Sequence, residues 1–150
     1  MGPTIFAPAA RAALRERLYQ LTPETPRRWG RMVPAAMVEH LGYQIELALG
    51  DREMAPMRSI LRLPPFNWLA IYAIPFPRNI KTPDALVPPA EPAALDAARD
   101  QLDVLIARVV ALGPDALGDS PHPLFGRISG RAWGRLIYRH IEHHLRQFGL

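Results

Sequence analysis

The segment Arg139-His140-Ile141-Glu142-His143-His144-Leu145-Arg146-Gln147 holds three of the chain's five histidines. His140 and His144 are four residues apart. On an α-helix that spacing places them about 40° apart in azimuth, one turn above the other. Both rings can therefore reach one ion. The apolar stripe Trp133, Leu136, Ile137, His140, Ile141, His144, Phe148 sets the pair on the inward face of its helix. His143 falls at the edge of that face, beside the row of Leu136.

A third histidine is available elsewhere. His40 lies inside another apolar stripe, Met37, His40, Leu41, Gln44, Ala48. It stands near the start of its helix and His144 near the end of its own. At roughly 1.5 Å per residue, each is within ~6–10 Å of a helix end. If the two helices run antiparallel, three imidazoles meet at one end of the core. Three histidines with a fourth position open is the pattern of a ligand-binding metal centre, not of a closed structural one. A histidine on an apolar face also fits a hydrogen-bonded core residue, and spacing alone leaves both readings open.

The surroundings carry further candidates. Gln44 and Gln147 share the inward faces, either to orient a ligand or to form a polar edge of the core. Tyr43, Tyr138 and His143 are candidates for the rim. Neither histidine stripe contains Asp or Glu; Glu39, Glu46 and Glu142 are expected on opposite, solvated faces. No carboxylate base is therefore expected from these helices. His122 precedes the last helix and is assigned to loop structure, because Ser129 to His140 alone spans about 16 Å. Arg27, Arg28 and Arg31 form a small basic cluster near the metal end, either a solvated face or an anion-steering one.

Positioning these residues needs helices, and the sequence supplies them. Pro8 to Leu21 carries Leu14, Leu18 and Leu21 at helical spacing, and Pro8 suits a first turn. Thr22-Pro23-Glu24-Thr25-Pro26 breaks the chain. A second helix is expected from Pro34 to Gly50, with Gly50 as C-cap. A third opens at Glu91-Pro92, with Leu95, Leu102, Ile106 and Val109 on its core face, and stops at Gly113-Pro114. The fourth runs from an N-cap at Ser129 to about Phe148. Between the second and third, prolines at 56, 64, 65, 75, 77, 83, 88 and 89 prevent long regular structure. One short helix fits Pro65 to Ile74, with Phe66, Leu69, Ala70 and Ala73 on one face. The aromatic content predicts a packed crossover, with Phe66, Trp68 and Phe76 buried. Trp29, Trp68 and Trp133 are expected as core anchors. The fold class read from this pattern is all-α, a four-helix bundle in a single domain over 1–150 with a long crossover.

Composition narrows the chemistry. The chain has 150 residues and 0 Cys, so disulfides, thiolate zinc sites and a cysteine nucleophile are excluded. Hydrophobic residues make up 49% and charged residues 21%, which excludes global disorder. Net charge is +4, with basic residues almost entirely arginine and scattered along the sequence. Scattered arginines form no basic stripe, so nucleic acid is not the expected partner. No stretch reaches the ~18 apolar residues of a membrane span, and no signal-peptide pattern begins the chain, so a cytoplasmic protein is expected.

The stretch His122-Pro123-Leu124-Phe125-Gly126, Trp133-Gly134 and Tyr138 through Gly149 resembles the DinB/YfiT-like superfamily, and within it an uncharacterised bacterial branch. Trp29-Gly30-Arg31-Met32, Met37-Val38-Glu39-His40-Leu41 and Lys81-Thr82-Pro83-Asp84-Ala85-Leu86 are similar to the same branch. The resemblance implies up-down-down-up order with a long connection between helices two and three. It also implies a divalent metal on His40, His140 and His144. By the same resemblance His143 matches an extra histidine beside the last ligand, and Gln147 a recurrent glutamine. An all-imidazole set suits Zn, Ni or Fe. Two functions follow. One is a metal-dependent enzyme of transferase or hydrolase type acting on a small molecule; some relatives are thiol-dependent. The other is a non-catalytic binding or homodimeric module with a stabilising or vestigial site.

Overall fold

A computed structural model describes residues 2–118 and 121–150. The described residues are helical, with no strand beyond an isolated antiparallel bridge between His122 and Gly126. α1 spans Pro8–Gln20 with Pro8 in its first turn, and its Leu14 and Leu18 are buried. α2 spans Pro34–Leu49 and ends at Gly50, whose φ of 78° is a left-handed cap open to glycine at little cost. A short α3 covers Phe66–Tyr72. α4 spans Leu95–Ala116, broken at Gly113 (φ 75°, ψ 171°), so its regular part ends where Gly113-Pro114 is expected to stop it. α5 spans Gly130–Gln147, capped by the Ser129 hydroxyl, which accepts from Ala132 N–H at 3.2 Å.

The core lies among α1, α2, α4 and α5. α2 packs chiefly on α4, while α5 touches α1, α2 and α4. Met37, Val38, Leu41 and Ile45 from α2 meet Leu102, Leu105 and Val109 from α4 and Trp133, Leu136, Ile137, Ile141 and Leu145 from α5. Ile106, expected in the core face of α4, is only partly buried; Ala98 and Leu105 fill that face instead. α4 begins at Leu95, later than Glu91-Pro92. Ala94 is the non-helical N-cap (φ −56°, ψ 144°), and the Glu39 carboxylate of α2 accepts from Ala93 N–H just before it at 2.6 Å. No helix of the described residues is long and apolar enough to cross a membrane.

The crossover overturns one expectation. Trp68 is 56% exposed and Phe66 41%; of the three aromatics only Phe76 is partly buried. Trp68 stacks on Tyr72 at the surface, ring centroids 5.8 Å apart. Arg139 of α5 sets this orientation. Its guanidinium donates to the carbonyls of Ala70, Ile71 and Ile74 at the end of α3, which turns Ile71 inward in place of the aromatic face. A seven-residue helix has one narrow inward face, and Ile71 takes it. Trp133 is the core anchor expected, at 0% exposure, whereas Trp29 is half-buried at a cleft.

Candidate metal centre

His40 of α2 and His140 and His144 of α5 come together. One ring nitrogen from each lies within 4.8 Å of the others. The His140 Nε2 atom sits 3.2 Å from His40 Nε2 and 3.1 Å from His144 Nε2. Nitrogens bound to one tetrahedral zinc at about 2.0–2.1 Å would stand ~3.3 Å apart, so the two spacings at His140 match those of a coordination shell.

The far side of each ring explains the orientation. His40 Nδ1–H donates to the Leu86 carbonyl at 2.8 Å. His140 Nδ1–H donates to Gln44 Oε1 at 2.5 Å, and His144 Nδ1–H to Gln147 Oε1 at 2.7 Å. Gln147 is itself fixed, because its Nε2 donates to the Trp29 carbonyl at 2.9 Å. The Leu86 carbonyl can only accept, and the bond to Trp29 fixes Gln147 Oε1 as an acceptor; with Gln44 likewise presenting Oε1, all three protons sit on Nδ1. A neutral imidazole has no second proton. Three Nε2 lone pairs therefore converge with no donor among them. Metal-bound histidines are held by this same arrangement of outer hydrogen bonds.

Electrostatics keep the rings neutral. Burial pushes His144 down to about 3, helped by His40 and opposed by its bond to Gln147. Burial, then His144 and His40, holds His140 well below the usual imidazole range. Burial also lowers His40, against the opposing bond to Leu86. His40 and His144 are buried, while His140 keeps part of its surface accessible.

The other candidates separate. Gln44 and Gln147 are buried partners of the triad. His143 stays outside it, with its ring 5.2 Å from His144, 5.7 Å from Trp29 and 5.9 Å from Phe76. Tyr138 lines a neighbouring cleft; Tyr43 lies instead under Arg52, 3.7 Å from its ring centre. His122 stays in its loop, its Nδ1 accepting from Leu124 N–H at 3.0 Å and Phe125 N–H at 3.3 Å.

The carboxylates are less solvated than expected. Glu142 is only 19% exposed, lines the cleft, and is held by Arg17 at 2.5 Å and Arg146 at 2.8 Å. Glu46 pairs with Arg52 at 2.8 Å, and Glu39 holds Ala93. All three are half-buried because each carries a structural bond, and none joins the triad. The cleft, about 750 Å³, holds Arg28, Arg78, Arg135, Arg139 and Arg146. Arginines scattered in sequence are thus gathered in space. No linear motif announced this; the Arg27–Arg31 cluster was the only signal, and of its members Arg28 alone lines the cleft.

No family model, curated protein or solved structure matches the chain.

Proposed function

We propose that this chain is a DinB-like four-helix bundle that holds one divalent ion on His40, His140 and His144 and acts there on a small molecule. The observation that carries the reading is the convergence of three Nε2 lone pairs whose opposite nitrogens are each committed to an acceptor. Facing lone pairs repel, and burial keeps protons off them, so a cation is the natural complement. The ligand set is neutral and all-nitrogen, which suits Zn, Ni or Fe.

An ion held by His40, His140 and His144 would supply Lewis-acid polarisation of a bound ligand. The chain's own residues do the rest. Gln44, Gln147 and the Leu86 carbonyl fix ring orientation and tautomer. The half-exposed edge of His140 and the rings of Phe76 and His143 form the approach. Glu142 is bound by two arginines, so its charge is spent on structure and not aimed at the three rings.

Elemental analysis after zinc, nickel or iron loading tests this. About one ion per chain is expected for the wild type and for His122→Ala, and a strong loss for His140→Ala. Wild-type protein that takes up none above background overturns the reading.

A further inference from the structure

The cleft beside the triad has its own chemistry, and the decisive question is which of its arginines are free. Arg139 is committed to the Ala70, Ile71 and Ile74 carbonyls. Arg135 donates to the Pro3 carbonyl at 2.6 Å. Arg146 shares Glu142, the only carboxylate among the described residues of the lining, with Arg17. Arg28 and Arg78 remain. The Arg28 guanidinium has one long approach, 3.5 Å to the Gly149 carbonyl. Arg78 lies over the Trp29 ring, 4.3 Å from its centre, and meets no acceptor among the described residues. Both are exposed, and both flank Trp29.

We propose that this cleft binds a small-molecule oxyanion, a phosphate or carboxylate head, between Arg28 and Arg78 at Trp29. The proposal names the substrate class of the metal-centre reading and rests on it. A guanidinium stays charged at any working pH, and its planar fork matches both head groups. The aromatic side chains Trp29, Tyr72, Phe76 and Tyr138 set low-dielectric walls beside the arginines, where field lines concentrate. The volume is that of a small-molecule site. A head held at Trp29 leaves the rest of the ligand beside His143, which lines the cleft and lies 5.2 Å from the His144 ring; the three triad histidines stand behind that lining. The His143 ring is 5.7 Å from Trp29, and the Phe76 ring touches both His143 and His140, at 5.9 and 6.5 Å. The Phe76 and His143 rings thus stand between the arginine grip and the triad.

Calorimetric titration with phenyl phosphate and with benzoate distinguishes the two head groups. It is run at about 0.15 M salt, where distant charges are screened. The proteins are the wild type, the Arg28→Gln/Arg78→Gln double variant and Arg58→Gln, each with and without zinc, and zinc content is measured in parallel. Arg58 is exposed and stands outside the cleft. One probe is expected to bind the wild type and Arg58→Gln alike. The double variant should bind it about ten-fold more weakly or worse while keeping its zinc. No binding of either probe by the wild type overturns the proposal, as does undiminished binding by the double variant. So does tighter binding of a single-stranded oligonucleotide that Arg58→Gln weakens equally, which would assign the arginines to a polyanion surface. If zinc is not taken up but probe binding still depends on Arg28 and Arg78, the cleft stands and the metal reading falls.

Discussion

α5 and the crossover are both rich in aromatic and apolar residues, yet only α5 uses them for a core. In α5 each inward position repeats the last: Trp133, Ile137 and Ile141, with His140 and His144 on the same side. Eighteen residues give five turns, and all four other α-helices pack against them. In the crossover the prolines cut the chain into pieces of a turn or two. No piece is long enough to offer a continuous face. Apolar content is the same kind of signal in both, but periodicity turns it into burial only where the helix persists.

The largest effects should separate the two regions most sharply. Replacing His40, His140 or His144 by Ala should abolish stoichiometric metal uptake, read by elemental analysis. The same change at His143 or His122 should leave most of it. Next comes Trp133→Ala, which should lower unfolding free energy by about 3–5 kcal/mol in a denaturant titration. A cost under about 1 kcal/mol there would break the distinction between the regions.

Acid should also discriminate. His122 is held near 4 by burial, against 6.5 for a free imidazole. The unfolded chain therefore binds the proton first. His122 contributes its full stability above about pH 6.5 and loses it progressively as the pH falls toward 4, by up to about 3 kcal/mol. His122→Asn should flatten the fall in stability between those pH values, measured on metal-free protein.

Smaller effects probe the shell around the triad. Gln147→Ala should weaken metal affinity about 10–100-fold without unfolding the chain. Gly30→Ala should act in the same direction. Gly30 has a φ of 78°, and a Cβ there would strike the Gln147 amide that orients His144. Competition against a chelator reads both. The smallest effect is expected in the crossover. Trp68→Ala should cost no more than about 1 kcal/mol. A loss as large as that of Trp133 would mean the exposed face is covered in solution.

The triad was legible because two of its members sit one turn apart and all three interrupt apolar stripes. Gln44 and Gln147 were legible as inward polar residues, though not which ring each would hold. The Leu86 carbonyl was not, since a backbone acceptor has no side-chain signature. The helix boundaries followed from Pro8, Pro34, Gly50, Gly113 and Ser129, each acting through its own backbone chemistry. The start of α4 did not: Ala94 stays non-helical, and Glu39, which accepts from Ala93 N–H, comes from another helix. Trp68 was misplaced because aromatic composition carries no direction. The cleft was invisible because its arginines come from the α1–α2 loop, the crossover and α5.

His40 and His140 are 100 residues apart in sequence and 3.2 Å apart in space. A bond between them through a shared ion would close most of the chain into one ring. In the chain-entropy account, a covalent link closing a ring of that size restricts the unfolded chain by about 4.7 kcal/mol. This protein has 0 Cys and no sulfur bridge to do so. Coordination would serve as its cross-link, one that a chelator or acid opens and fresh metal ties again, with no redox partner needed.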